Sequence, residues 1–477
     1  MQKPITMKKL LLGCLFTIAC GHSFSQSCST LNITHQSDIA SACNKMVMTM
    51  MHDELNRPYL YVANKEAGLT VYNISTVATP SLVATVPISA YDSLEVMNMT
   101  QSGNYIYLAL GNTFNTSKTG MAIIDVTNPV LPVMTDYWEL PSSTSGAGIV
   151  KAEGNYAYLG AMGHGLVILD ISNKSNIQFV SRFVPDKNFP PIANPDTTKI
   201  NARGMEVKNS IVYLCHDAGG FRVIDCTNKL APRETGHFCN PVMYTPLNHP
   251  RAYNNVVLHD TLAYLAVDYC GMEVLNIKDT SNITMVGWWN PYNCPNNNWF
   301  TSPVHTNELY LDPNCKHIFI SSGKSDLHVL DVSDPAQPDS CNFYGGTSNA
   351  IGTWGVGVYQ NQIYLSYICN PFAWPFPSNW TGVKILTYTP CATGIGESAE
   401  EGLAVYPVPA TEKIIIESNA NLNFSEISIV NTLGQTFYPS FRKSGNKTEV
   451  DVSGLNRGCY FLKVRSQDKE FTRKFVK

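Results

Sequence analysis

The chain has 477 residues, and its 33 Lys and Arg against 37 Asp and Glu give a formal net charge of −4. This near-neutral balance, without basic runs, excludes the electrostatic footprint of a nucleic-acid-binding protein. Only 15% of the residues are charged while 10% are aromatic, and this composition excludes a disordered chain. The length suits about three average domains, or one large β domain followed by a small one.

The N-terminal segment has the features of an export signal. Lys8 and Lys9 precede a short apolar run over residues 10–19, and small residues alternate before Gln26. We therefore predict a signal peptide over residues 1–25. The run is too short for a membrane anchor, which needs about 20 apolar residues. Cys20 loosely suggests a lipoprotein site as an alternative. Export would permit disulfide bonds among the remaining cysteines.

A strand-like octamer recurs seven times at intervals of 45 to 56 residues. The copies are GLTVYNIS from Gly68, GMAIIDVT from Gly120, GLVILDIS from Gly165, GFRVIDCT from Gly220, GMEVLNIK from Gly271, DLHVLDVS from Asp326 and GVKILTYT from Gly382. An aromatic-led strand precedes most copies, a third strand follows, and a fourth lies upstream. Four strands per unit, repeated seven times, predict an all-β fold with a seven-bladed β-propeller. A solenoid is the structural alternative, but its repeat would be shorter.

The octamers are apolar on both faces. Leu166 and Ile168 point to one side of the strand, while Val167 and Leu169 point to the other. A sheet packed between two neighbouring sheets needs this pattern. The acid that closes several octamers, such as Asp170, stands just before a turn, so we expect it to bind local backbone N–H groups rather than a ligand.

The last blade lacks an outer strand, because only Pro390, Cys391 and a linker follow its octamer. The segment 31–34 precedes the first blade and is otherwise unpaired, so we predict that it supplies this strand and closes the ring. Cys28 would then lie beside Cys391, and we predict a disulfide between them.

Other cysteines divide into predicted disulfides and predicted core thiols. We expect Cys315 and Cys341 to fall in turns at one end of blade six and to pair. Cys270 with Cys294, and Cys43 with Cys369, are further candidate pairs. Cys226 occupies an apolar register position, and Cys215 a position filled elsewhere by small residues. We predict that both are buried thiols.

The octamers resemble the LVIVD repeat, a family of bacterial surface and exported propellers. The most similar copies are LVILD at Leu166–Asp170 and LHVLD at Leu327–Asp331. The resemblance covers about residues 45–390 and implies a propeller fold, but it says little about activity. The Trp-Asp pair typical of WD40 blades is missing.

The composition changes after a linker over residues 392–402, so we place the propeller at 26–391 and a separate domain at 403–477. Short runs of alternating apolar residues predict a small antiparallel β-sandwich. The residues Tyr406, Pro407, Pro409, Gly434, Gly458 and Tyr460 stand in one pattern. This pattern resembles the type A C-terminal sorting domain of the Bacteroidetes type IX secretion system. The resemblance implies recognition by that machinery, passage through the outer membrane, removal of the domain, and release or surface attachment. An immunoglobulin-like adhesion module is the alternative.

Loops that border a propeller's central channel are the usual ligand-binding region. The candidate binding residues that we place there are His164, Arg203, His216, Asp217, Arg251, Tyr269, Trp299 and Trp354. Aromatic rings stack on apolar ligand faces while amides and acids take polar groups, which suits a glycan or a peptide. His164, His216 and Asp217 have the chemistry to hold a metal, but we predict no metal and no cofactor.

We therefore predict a secreted or surface-attached propeller without a membrane span, which binds an extracellular glycan or protein. The alternative is a propeller hydrolase or lyase that acts on an extracellular polymer. A purely structural surface protein is a third hypothesis. The sequence has no Gly-x-Ser-x-Gly motif and no phosphate-binding loop, so no catalytic residue can be named.

Overall fold

The computed structural model describes residues 31–192, 196–244, 252–294, 302–346, 351–369, 378–389, 391, 403–407, 409–418, 426–431, 435–466 and 469–477. The chain divides into two compact units, Met1–Thr389 and Pro390–Lys477. The predicted signal peptide and the predicted linker lie outside the described residues.

The first unit is built almost entirely of strands. In chain order these are β1 (Ile33–Ser41), β2 (Thr49–His52), β3 (Tyr59–Asn64), β4 (Gly68–Asn73), β5 (Ser81–Val86), β6 (Val96–Ser102), β7 (Tyr105–Leu110), β8 (Gly120–Asp125), β9 (Val133–Glu139), β10 (Ile149–Glu153), β11 (Tyr156–Gly160), β12 (Leu166–Asp170), β13 (Gln178–Phe183), β14 (Gly204–Lys208), β15 (Ile211–Cys215), β16 (Phe221–Asp225), β17 (Arg233–Phe238), β18 (Tyr253–His259), β19 (Leu262–Val267), β20 (Met272–Asn276), β21 (Thr284–Trp289), β22 (Leu309–Asp312), β23 (His317–Ser321), β24 (Leu327–Asp331), β25 (Asp339–Tyr344), β26 (Gly352–Tyr359), β27 (Gln362–Ile368) and β28 (Thr381–Tyr388). One short helix, α1 (Pro241–Tyr244), and three 3₁₀ turns, Ile88–Tyr91, Thr197–Lys199 and Asp268–Cys270, accompany them.

These strands form seven four-stranded antiparallel sheets, which we number as blades 1 to 7 in chain order. Blade 1 has the order β2-β3-β4-β5, and blades 2 to 6 repeat it. The first strand of each blade contacts the first strand of the next in a closed cycle, from β2 through β6, β10, β14, β18, β22 and β26 back to β2. These seven strands therefore surround the central channel, and the prediction of a seven-bladed propeller is confirmed.

Blade 7 is completed by the N-terminal strand, as predicted. Its order is β26-β27-β28-β1, and β1 pairs antiparallel with β28 from Ile33 opposite Tyr388 to Ser41 opposite Thr381. The first and last parts of the propeller thus share one sheet, and the backbone groups of β28 find partners that an open ring would leave exposed.

The two apolar faces of the octamers fill the spaces between blades. Leu166 and Ile168 pack against Met205 of blade 4, while Val167 and Leu169 pack against Ile123 of blade 2. Each of these side chains is fully buried, and full burial of an aliphatic side chain contributes about 1.5–3 kcal/mol. The expectation from the sequence pattern is confirmed.

The octamer acids have the structural role that was predicted. Asp170 Oδ1 accepts a hydrogen bond from the Ser172 N–H at 2.8 Å, and Asp125 Oδ1 accepts one from the Thr127 N–H at 2.7 Å. Asn73 accepts from the Ser75 N–H in the same way. The acids therefore hold the turn between the third and fourth strands.

Disulfides link Cys43 to Cys369 and Cys270 to Cys294, so both of these predicted pairs are confirmed. Cys315, Cys341 and Cys391 are also disulfide-bonded. Cys315 lies in a turn, but Cys341 lies within β25 rather than in the turn we expected, because the outer strand of blade 6 begins before it. Cys28 lies outside the described residues, so its pairing with Cys391 stays a prediction, as does the pairing of Cys315 with Cys341.

The free thiols Cys215 and Cys226 are fully buried, as predicted. Burial raises the pKa of Cys226 to about 12, so it remains a protonated, apolar core residue.

The second unit is a β-sandwich. Its strands are β29 (Leu403–Tyr406), β30 (Lys413–Ser418), β31 (Glu426–Asn431), β32 (Thr436–Phe437), β33 (Phe441–Ser444), β34 (Lys447–Asp451), β35 (Cys459–Ser466) and β36 (Lys469–Val476). They form two sheets of order β29-β30-β34-β33 and β32-β31-β35-β36. Residues from both sheets, such as Ile414 and Leu462, share one core.

Several residues of the sorting pattern have clear structural roles. The Tyr460 hydroxyl donates to the Asn456 carbonyl at 2.9 Å, and its ring stacks on Phe475. Gly458 and Lys477 exchange two backbone hydrogen bonds of 2.9 Å. Tyr406, Pro407 and Pro409 lie at and just beyond the end of β29, and Gly434 lies outside the described residues.

Candidate ligand site at the channel mouth

Strand register shows which residues line the channel. In each blade, one residue at the start of the inner strand lies opposite a small residue of the second strand. We call these seven residues the waist ring: Thr49, Asn98, Ile149, Gly204, Asn255, Glu308 and Gly355. Their opposite partners are Ala63, Ala109, Gly160, Cys215, Ala266, Ser321 and Ser366. The small-residue position predicted for Cys215 is confirmed.

The residue that precedes each waist position forms a second ring, which we call the mouth ring. It comprises Met48, Met97, Gly148, Arg203, Asn254, Asn307 and Trp354. All seven line one cavity of about 260 Å³, the mouth cavity. Each blade thus contributes at least one residue to it, and the ring residues come from seven widely separated positions in the chain.

A larger cavity of about 530 Å³ lies on the other side of the waist ring. Both cavities are lined by Asn98, Ile149, Asn255 and Glu308, so they meet at the waist. The charged groups of the larger cavity include an ion pair of 2.6 Å between Lys151 and Glu206. The two opposite charges largely cancel, so the larger cavity attracts a charged ligand less strongly.

The mouth ring has an apolar half and a polar half, and Asn98 and Thr113 of blade 2 add polar groups to the cavity wall beside the apolar half. Blades 1 and 2 supply Met48 and Met97, whereas blades 4 to 6 supply Arg203, Asn254 and Asn307. Trp354 of blade 7 lies between the two halves of the ring.

Aromatic contacts hold Trp354 at the rim. The guanidinium carbon of Arg203 lies 5.3 Å from the centre of the Trp354 ring, in a cation–π contact between blades 4 and 7. Phe114 approaches the same indole edge-on at 5.8 Å. The indole is only partly buried, so the cavity wall keeps an aromatic surface.

Asp217 also lines the mouth cavity. Asn201 donates to its carboxylate at 2.9 Å. Burial raises the pKa of Asp217 to about 6, although the positive charge of Arg203 and the hydrogen bond from Asn201 act in the opposite direction. The sequence-predicted residues Arg203, Asp217 and Trp354 are therefore brought together.

Three other predicted residues lie outside the lining of the two channel cavities. His216 is fully buried, and burial lowers its pKa to about 3, so its ring is neutral at pH 7. Tyr269 is buried edge-on against His305 at 4.6 Å. His164 accepts a hydrogen bond from the Thr144 N–H at 3.2 Å.

The predicted residues Arg251 and Trp299 lie outside the described ranges. Among the residues that the structure describes, no group of three His, Cys, Asp or Glu side chains is arranged to hold a metal ion.

Sequence reasoning missed Asn254, Asn307 and Glu308. None stands in a motif, and Asn is common in the loops of this chain. The small residue of each second strand could have located them. The residue opposite it on the first strand belongs to the waist ring, and the residue just before that one belongs to the mouth ring.

Comparisons with known proteins agree with the architecture. The LVIVD repeat is matched at residues 57–87, 95–137, 146–184 and 316–344, within blades 1, 2, 3 and 6. The secretion system C-terminal sorting domain is matched at residues 404–477. This is an LVIVD-repeat β-propeller with a type IX sorting domain.

Among solved structures, the LVIVD-repeat propeller is similar to the computationally designed Ika8 protein. The identity is 9% and the TM-score 0.44, over 74% of this chain and 99% of that one. It is also similar to a chain of the Mitotic Checkpoint Complex, with 11% identity and a TM-score of 0.48, over 80% of this chain and 98% of that one. No curated protein matches the sequence.

The sorting domain assigns the LVIVD-repeat propeller to type IX secretion, with a secreted or cell-surface destination, and implies interaction with that machinery. Such a domain also implies an origin in the Bacteroidetes. Within the described ranges, no helix has the length and apolar character to cross a bilayer.

Proposed function

We propose that the secreted propeller is a glycan-binding module and that the terminal sugar of its ligand occupies the mouth cavity. The observation that carries the proposal is the division of the mouth ring. A sugar has apolar C–H faces and a hydroxyl edge. Met48, Met97 and the Trp354 ring suit the faces, and Asn254 and Asn307 suit the hydroxyls.

The size of the cavity supports a terminal sugar rather than an internal one. At about 260 Å³ it is slightly smaller than the roughly 300–1,000 Å³ of pockets that enclose drug-sized ligands. One sugar unit fills such a space, and the rest of the chain would leave across the loops around the mouth. A protein ligand would instead need a broad face, of about 800 Å² on each partner.

The destination of the protein is consistent with this role. Type IX secretion delivers it to the cell surface or beyond, where extracellular polysaccharides are the abundant polymers. The proposed ligand is therefore of a class that the propeller meets after export.

The test is a glycan and peptide array probed with the full secreted protein, with release of products monitored. We expect saturable binding to glycans without turnover. Trp354→Ala should weaken binding about tenfold or more, because loss of an aromatic contact in a desolvated site costs roughly 1.4 kcal/mol or more. Trp138→Ala is the matched control, since Trp138 stacks on Phe179 in the outer part of a blade.

Three results would overturn the proposal. Unchanged binding by Trp354→Ala would remove the mouth cavity from the interaction. Binding to peptides alone would assign the face to a protein partner, and turnover would favour the hydrolase or lyase hypothesis.

A further inference from the structure

A carboxylate lies in the channel where the mouth cavity meets the larger cavity. Glu308 belongs to the waist ring and lines both cavities. Its Oε2 accepts a hydrogen bond from the Thr49 hydroxyl at 3.1 Å, and its carboxylate also accepts one from the Val356 N–H. Both partners are uncharged, so the negative charge is hydrogen-bonded but not neutralised.

No Lys or Arg within the described ranges forms an ion pair with Glu308. The nearest cation that affects it, Lys151, is paired with Glu206 at 2.6 Å. Burial accordingly raises the pKa of Glu308 to about 7, and the charge of Lys151 only partly offsets this effect. A carboxylate that is buried without a paired cation is stabilised in its charged form by any cation that enters the cavity.

Two buried amide side chains line the same side of the mouth cavity, and their oxygen atoms receive no hydrogen bond from the described residues. Asn254 and Asn307 are 5% and 3% exposed and line the mouth cavity. Asn254 Nδ2 donates to the Thr306 carbonyl at 2.6 Å, and Asn307 Nδ2 donates to the Thr353 carbonyl at 3.1 Å. Because a carbonyl can only accept, these contacts determine which end of each amide carries the oxygen. Both Oδ1 atoms are then left without a hydrogen-bond partner among the described residues, and they lie beneath the cavity wall with almost no accessible surface, where they add negative potential beside Glu308.

The polar half of the cavity is therefore rich in acceptors. Glu308, Asn254 and Asn307 occupy neighbouring blades, at the waist and mouth of the same channel. Two cations line the mouth cavity: Arg203 already lies over Trp354, and the charges of both Arg203 and Lys199 act on Asp217. An unsatisfied buried acceptor costs about 1–3 kcal/mol, more when it is charged, so a ligand that supplies donors there gains most.

We propose that the terminal sugar carries a free primary amine, which binds as an ammonium group to the Glu308 carboxylate, on the side of the mouth cavity that Asn254 and Asn307 line. An ammonium has three donors and no acceptor, and its hydrogen bonds to a carboxylate are roughly twice as strong as neutral ones. N-acetylation removes the charge and two of the donors. A hydroxyl supplies a single donor. This inference rests on the proposed glycan-binding function and specifies the class of sugar.

The experiment compares three oligosaccharides of the same linkage and length, made of glucosamine, N-acetylglucosamine or glucose. Each is titrated calorimetrically at pH 7 into the full secreted protein, since an amine is still mostly protonated there and the Glu308 carboxyl, with a pKa of about 7, is about half ionised before the ligand binds. We expect the glucosamine oligomer to bind at least tenfold more tightly than the other two. Glu308→Gln should abolish this preference by lowering the affinity for the glucosamine oligomer to that for the neutral oligomers. Glu139→Gln, which removes a carboxylate paired with Lys118 outside the lining of both channel cavities, is the matched control and should keep the preference.

Equal binding of the three oligomers, or tighter binding of a neutral one, would overturn the amine assignment and leave the glycan-binding function standing. An unchanged preference in Glu308→Gln would also overturn it. Failure of every glycan to bind, here and on the array, would refute the glycan-binding function itself. If Glu308→Gln does not fold, the ranking of the three oligomers with the natural chain decides.

Discussion

The disulfide between Cys43 and Cys369 joins the two ends of the propeller, and its removal should destabilise the ring strongly. Cys43 follows β1, the strand that completes blade 7, and Cys369 follows β27 of the same blade. The bridge therefore secures the one blade whose strands come from both ends of the chain.

The sequence separation of this bridge sets the expected effect. A cross-link stabilises mainly by restricting the unfolded chain, and the restriction grows with the length of the loop that it closes. For a separation of 326 residues, the loop-entropy relation gives about 5.8 kcal/mol at 25 °C. For the Cys270–Cys294 bridge, with a separation of 24, the same relation gives about 3.5 kcal/mol. The difference of about 2 kcal/mol is the quantity to test, since errors common to both bridges cancel.

The measurement is denaturant-induced unfolding of the oxidised protein that carries Cys28→Ser and Cys391→Ser, so that no second bridge closes almost the same loop, and of two double variants made in that background. We expect Cys43→Ser with Cys369→Ser to lower the free energy of unfolding by about 2 kcal/mol more than Cys270→Ser with Cys294→Ser. Reduction of all three proteins should abolish the differences between them. If the variant of the short bridge loses as much as that of the long one, or more, closure of the ring is not what the Cys43–Cys369 bridge stabilises.

Three further predictions concern export, a turn and a buried acid. Deletion of residues 403–477 should leave the protein in the periplasm, and surface display of this truncation in cell fractions would refute the sorting role. Asp125→Ala should lower the free energy of unfolding by about 1 kcal/mol, because the Thr127 N–H loses its acceptor. Asp125→Asn should not, since Asn73 serves the same purpose in blade 1. Burial raises the pKa of Glu273 in the folded protein to about 7 from 4.5. The folded state then binds the proton more tightly between these values, so the free energy of unfolding should fall as the pH rises from about 4.5 to about 7. Glu273→Gln should make that slope smaller in unfolding curves recorded across this range, while the raised pKa values of Glu308 and Asp217 preserve the remainder.

Most of the fold was predictable because it depends on local patterns that recur. Seven octamers with two apolar faces specify seven sheets packed face to face, whatever residues occupy the loops. The missing strand of blade 7 could be inferred by counting, since an unpaired sheet edge demands a partner. The turn acids followed from their place before each turn, and the low proportion of charge has its cause in strands that are buried on both sides.

The binding site could not be predicted in the same way, because it is formed only when the seven blades close into a ring. Arg203 and Trp354 are far apart in the sequence, and only closure of seven blades places one beside the other. The sequence places His216 in a loop as a candidate binding residue, but in the structure its side chain is fully buried. Asn254, Asn307 and Glu308 are unremarkable residues in sequence, and their surroundings come from three different blades. The sequence by itself therefore determined the blades, their closure and the export route, because these follow from local patterns and contiguous motifs. The tertiary structure decided the chemistry of the channel, because each lining residue comes from a different repeat and no local pattern records which side chains meet at the axis.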